Sequence, residues 1–119
     1  QIEVLMTGGR VDNSSQSCVG SHGQHLLETV HPDFSFVSCN SWAMKEGVTA
    51  PTEEKANLKR ILSQNAKQRI LVADSSKYGK YSLFGVSPLN RFSTIVTDTN
   101  LLAEQKAEME SRDFDLVLV

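Results

Sequence analysis

Residues 69–74, RILVAD, form a nearly unbroken branched and apolar run that stops at an acid. The run is far shorter than the ~20 residues a membrane-spanning helix needs. Nor does it alternate, as a strand with one wet face would. It therefore reads as a strand covered on both faces, the pattern of a parallel sheet flanked by helices. Parallel neighbours need crossover connections, so helices should alternate with strands along the rest of the chain.

They do. IEVLMT (2–7) alternates and is ended by Gly8 and Gly9, which predicts a strand, and DNSSQ (12–16) reads as a polar loop. Leu26, Leu27 and Val30 give a helical stripe over about residues 20–29, closed by Pro32, and FSFVSC (34–39) reads as the next strand. NSWAMKEGVTAP (40–51) is too broken for an element and reads as a long loop. A helix starts after Thr52, a capping residue, with Glu53 and Glu54 in the first turn and Leu58, Ile61, Leu62 and Ala66 on one face. YSLFGV (81–86) suits a short strand, STIVTD (93–98) a better one, residues 100–111 a helix and DLVLV (115–119) a closing strand. The expected fold is α/β, a mostly parallel sheet flanked by helices, and 119 residues suit one domain.

Ligands of such sheets gather beyond the carboxyl ends of the strands. Gly8–Gly9, Cys39–Asn40–Ser41, Asp74–Lys77 and Thr97–Asp98 each follow a predicted strand, so one rim can collect all four turns. A lysine in a turn with two serines, as at Ser75–Ser76–Lys77, can hold a phosphate by charge and hydroxyl hydrogen bonds. On the residues alone, a solvated turn lysine is the simpler reading. Asp74 and Asp98 could act as bases, but acids at strand ends more often cap the next turn. Trp42 could cover a ligand, yet burial is the commoner fate of a loop tryptophan. Cys39 fits a small buried residue better than a reactive thiol. Neither G-x-G-x-x-G nor a Walker-type loop is present.

Twelve Lys and Arg stand against 14 Asp and Glu, with no basic stripe, which argues against nucleic-acid binding by this chain itself. Cys18 and Cys39 lack a C-x-x-C spacing, and His22, His25 and His31 stand at no recognised ligand spacing, so no metal is expected. Two thiols without a disulfide pattern fit a reducing cytoplasm. No membrane span or signal peptide is visible, and Gln1 opens the chain inside strand-like sequence, as in a piece of a longer protein. RILVAD followed much later by DFDLVLV is also similar to two strands of a phospho-receiver domain, but the early acidic pair and the phospho-acceptor acid are missing.

Seven segments in order, TGG (7–9), SCVG (17–20), EGVT (46–49), KANLKR (55–60), ILVADSSKYGK (70–80), LFGVSPL (83–89) and TIVTD (94–98), resemble the carboxy-terminal effector domain of DeoR-family bacterial transcription regulators. The resemblance runs from about residue 2 to residue 119. It implies a sensor similar to sugar-phosphate isomerases such as ribose-5-phosphate isomerase, binding a phosphorylated sugar that changes operator binding. Residues 1–119 would be the C-terminal portion of that sensor. The winged helix-turn-helix and an earlier sensor segment with a D-x-G-T-T-like loop would lie outside this chain. By position, Lys77 and Ser76 would hold the anionic end of the effector, Asp74 would fix the turn, Gly8 and Gly9 would give backbone access, and Asn40 would stand on the opposite rim.

Two departures stand out. SCNSWAM replaces a Gly-Ala-x-Gly-Ile-like run, and Lys55 stands where many members and the isomerases place a Glu. Isomerisation needs a carboxylate base. Lys55 and Asn40 remove the obvious candidates, although Glu46, Glu53 and Glu54 are close in sequence. The resemblance thus implies a cytoplasmic regulator, a repressor by preference, without catalytic residues, cofactor or metal. It would meet operator DNA through a separate domain and form at least a dimer. A sugar-phosphate isomerase or amino-sugar deaminase relative is the enzymatic alternative, and an oligomerisation module is a third reading. Missing strands would leave a sheet edge and apolar surface that need covering.

Overall fold

The computed structural model describes all 119 residues. In chain order the elements are β1 (Arg10–Asp12), β2 (Ser17–Val19), α1 (Ser21–Thr29), β3 (Phe34–Val37), β4 (Ser41–Ala43), β5 (Gly47–Ala50), α2 (Glu53–Asn65), β6 (Gln68–Val72), β7 (Phe84–Ser87), β8 (Thr94–Thr97), α3 (Ala103–Glu110) and β9 (Asp115–Leu118). RILVAD supplies β6, which lies inside a four-stranded sheet of order β3-β6-β8-β9, parallel throughout. Phe36 stands opposite Ile70, Leu71 opposite Ile95, and Val96 opposite Val117. The expected α/β class with a parallel sheet is the observed one.

One face of that sheet carries Val37, Leu71 and Ile95 into the core, joined by Ala56 of α2, Met109 of α3, Phe92 and Trp42. Thr52 caps α2 by accepting from the Lys55 backbone N–H at 3.3 Å, as its position suggested. The most deeply buried residues of α2 are Ala56 and Ser63, while Leu58, Ile61 and Leu62 are half-buried. The inward face of the helix is thus rotated from the leucine stripe towards its small residues, which let helix and sheet approach closely.

Three expectations are corrected. IEVLMT forms no strand: residues 2–7 pair with nothing, and Ile2 is 90% exposed. Alternation supplies a strand-forming face, but a strand also needs a neighbour to receive its N–H and C=O groups. The polar loop expected at 12–16 is present as a turn, and the strands it joins, β1 and β2, form a hairpin that was not expected, in which Val11 stands opposite Cys18. The broken stretch 40–51 is another hairpin, β4–β5, and β7 joins it in a separate antiparallel sheet of order β4-β5-β7 rather than in the main sheet. Lastly, β6 is covered on one face only. Phe36, Val72 and Val117 lie on the opposite, open face, with Phe36 68% and Val72 44% exposed.

Candidate functional site

The carboxyl ends of β3, β6 and β8 come together on one rim. After β6 the chain enters a single 3-10 turn, Ser75–Lys77, capped by Asp74, whose carboxylate accepts from the Ser76 N–H at 2.8 Å. Asp98, at the end of β8, accepts from the Ser75 N–H at 2.9 Å and from the Ser75 hydroxyl at 2.6 Å. Those bonds to Ser75, with one from the Asn100 N–H, hold the Asp98 carboxyl down at about 2. Both acids are therefore spent on shaping the turn. Trp42, fully buried, fastens it from the other side: its indole N–H donates to the Asp74 carbonyl at 3.1 Å, and its own carbonyl accepts from the Gly79 N–H at 2.9 Å. Its ring meets Tyr78 edge-on at 4.7 Å. Burial, with the nearby Glu108 carboxylate, pushes the Tyr78 hydroxyl up to about 12.

So fixed, the turn delivers Lys77 over the end of β3, where its ammonium donates to the Cys39 carbonyl at 3.3 Å. Lys59 reaches the same strand end from α2 and donates to the Ser38 carbonyl. Lys55, one helical turn earlier on the same face, pairs with Asp12 of the β1–β2 hairpin at 3.2 Å. All three lysines line a cavity of ≈ 630 Å³. The hairpin closes one end with Ser15, Gln16 and Ser17, Asn40 stands at the strand end, and Leu27, Leu58 and Leu62 form an apolar wall. No Asp or Glu lines it. Burial, reinforced by the charges of Lys55 and Lys77, lowers the pKa of Lys59. Burial raises that of the Cys39 thiol, against the pull of Lys59 and Lys77.

Of the residues singled out from sequence, Lys77 and Asn40 line the cavity together. Asp74 and Ser76 lie in the same turn without lining it; the Ser76 N–H is taken by Asp74. Gly8 and Gly9, both with positive φ, follow the lining residues Met6 and Thr7 and lead into β1. A Cβ on Gly9 would stand 3.2 Å from the Val19 carbonyl, whereas Gly8 faces open space. The sequence reading missed Lys59, Lys55 as part of the same cation cluster, and the hairpin as a wall. For the lysines a signal existed: in KANLKR they stand four apart, flanking the Leu58 that also faces the cavity. No group of three or more His, Cys, Asp or Glu side chains is arranged to hold a metal ion, and no helix is long and apolar enough to cross a membrane.

A family model described as the DeoR C terminal sensor domain matches residues 1–99. Among individual proteins, the chain is similar to an HTH-type transcriptional regulator of Haemophilus influenzae, at 36% identity over all 119 residues and 46% of the relative's length. It is 32% identical to the HTH-type transcriptional regulator YgbI of Escherichia coli over 97% of this chain and 45% of YgbI. The HTH-type transcriptional regulator GlpR of Haloferax volcanii is 30% identical over the same shares, 97% and 45%. The chain thus spans a little under half the length of each of these relatives.

Proposed function

Because the chain belongs to the DeoR C-terminal sensor domain family, we propose that it senses a phosphorylated sugar metabolite for a transcription regulator, with the phosphate held by Lys77 and Lys59. The observation that carries this reading is the cavity itself: three lysines line it at the carboxyl rim of a parallel sheet, with no carboxylate in its wall. A phosphate monoester carries close to two negative charges at neutral pH. Two ammonium groups seated on consecutive carbonyls, those of Ser38 and Cys39, match that charge. Asn40 adds an amide at the same end. Asp74 and Ser76 act by holding the turn in shape, and Gly8 and Gly9 by letting the chain pass from the cavity wall into β1.

Binding without turnover is the favoured chemistry. Moving a proton between sugar carbons needs a carboxylate base, and none faces this cavity. The relatives described above are transcriptional regulators, which points the same way. In the full-length protein, residues 1–119 are the C-terminal portion of the sensor, operator DNA is met by a separate domain, and the protein works in the cytoplasm as a repressor. The open sheet face at Phe36, Val72 and Val117 is covered there by the preceding part of the sensor, since parallel sheets bury both faces. A symmetric operator would be read by at least a dimer. Ligand would shift operator affinity only by its differential affinity for two states of the sensor.

A thermal-shift screen of the full-length protein against sugar phosphates and the matching free sugars tests the reading. A ligand at one hundred times its Kd adds about 2.7 kcal/mol of stability. The expected result is a shift from phosphorylated compounds alone, weakened in Lys77→Ala. A Lys77→Ala protein that binds them as tightly as the parent would sink the phosphate assignment.

A further inference from the structure

We infer that the effector carries a second acid group beside its phosphate, so that the site selects a phosphorylated sugar acid over phosphorylated neutral or amino sugars, with Lys55 as the selecting residue. This deepens the phosphate reading above and rests on it. The cavity has two cationic ends. At the strand end, Lys59 and Lys77 touch no carboxylate and suffice for one phosphate. At the hairpin end Lys55, one helical turn from Lys59, has its side chain only 14% exposed and Asp12 as its counter-ion.

Asp12 does not depend on Lys55. It also accepts from the Ser14 hydroxyl at 2.7 Å, the Ser15 hydroxyl at 2.6 Å and the Ser15 N–H at 3.1 Å. Lys55 can therefore turn to a ligand carboxylate without stranding a bare acid. Asp12, which is not among the lining residues, is the counter-ion of Lys55 in the free protein, and the second acid of the ligand would compete with it for that lysine.

The rest of the wall agrees. Its charged groups are all donors, and Gln16 and Asn40 add amides that donate as well as accept. A ligand rich in acceptors satisfies such a wall. An amino sugar would bring an ammonium into a chamber lined by three lysines and no carboxylate, which is strongly unfavourable for its charged form.

The experiment is calorimetric titration of the full-length protein with matched pairs. These are 3-phosphoglycerate against glycerol 3-phosphate and 6-phosphogluconate against glucose 6-phosphate, with fructose 1,6-bisphosphate and glucosamine 6-phosphate alongside. A charge-assisted hydrogen bond at Lys55 predicts that the acid of a binding pair is tighter by about tenfold or more. Fructose 1,6-bisphosphate binding more tightly than either sugar acid would overturn the sugar-acid assignment in favour of a second phosphate. Lys55→Gln should erase the preference while retaining binding of inorganic phosphate, and Lys55→Arg should restore it. Equal affinity within the pairs overturns the inference, as does glucosamine 6-phosphate binding as tightly as the acids; both tests need only the parent protein. If no phosphorylated compound binds, inorganic phosphate included, the phosphate site itself is wrong, a failure distinct from loss of selectivity.

Discussion

Gly47 closes the β4–β5 hairpin with φ +72, and a Cβ built there would stand 2.2 Å from the Ser87 carbonyl oxygen and 2.8 Å from the Pro88 Cα. Those neighbours are backbone of β7 and the residue after it, so they cannot swing aside as a side-chain tip would. Gly79 provides the control, with φ +80 and nothing within 4 Å of its added Cβ. Each alanine substitution incurs the left-handed backbone cost of about 1–2 kcal/mol. Gly47→Ala must also push β7 away, adding the cost of overpacking, about 1–3 kcal/mol, and weakening the adjacent β5–β7 hydrogen bonds at about 1 kcal/mol each. The expected loss is thus roughly 3–5 kcal/mol for Gly47→Ala against about 1–2 kcal/mol for Gly79→Ala. At about 4 °C per kcal/mol for a domain of this size, the two melting temperatures should differ by about 8 °C or more. Thermal unfolding followed by far-ultraviolet circular dichroism measures both. Equal losses would refute the close approach of hairpin and β7, and with it the clamp that Trp42 places on the Lys77 turn.

Lys59 has its pKa lowered in the free cavity by burial, and a phosphate bound beside it should raise that pKa again. Affinity should therefore fall as pH rises between the free and bound pKa values; buffer-dependent binding enthalpies would show proton uptake, and Lys59→Met should abolish it. Asp98, held at about 2 against an unfolded value of 3.8, contributes stability that is complete above the unfolded value and is lost as pH falls through about 2. Acid melts of Asp98→Asn should lack that part of the pH dependence. Leu71→Ala, on the buried face of β6, should cost about 2–5 kcal/mol. Val72→Ala, next to it on the open face, should cost under about 1 kcal/mol in this chain and measurably more in the full-length protein, by chemical denaturation of both.

The parts of the fold legible in the sequence are those whose pattern and partners agree. β6, β8 and β9 are short branched runs bounded by polar residues, and α2 carries its cap and first-turn acids where they act. What was not legible depends on pairing. SCV at 17–19 and SWA at 41–43 are three-residue strands, too short to show a period, and they exist because a hairpin partner faces them. IEVLMT has the period and no partner, so it is no strand. For the site, Lys77 stood out because its turn follows a strand directly. Lys59 did not, because a lysine on a helix looks like solvated surface until the strand end it leans on is known.

The parallel order of the main sheet has a kinetic consequence. The hairpins β1–β2 and β4–β5 and helix α2 are local and can form early, whereas the pairing of β3 with β6 waits for closure of a long crossover. The contacts that seat the cations are equally non-local: Lys59 reaches Ser38 across 21 residues, and Lys77 reaches Cys39 across 38. The candidate cavity thus rests on contacts of high sequence separation, which are costly to form before the rest of the chain is folded. Where such contacts form after the transition state, a ligand at the cavity should slow unfolding more than it changes the rate of folding. Occupancy of the cavity would then lengthen the lifetime of the folded state, a kinetic stabilisation distinct from any change in its conformation.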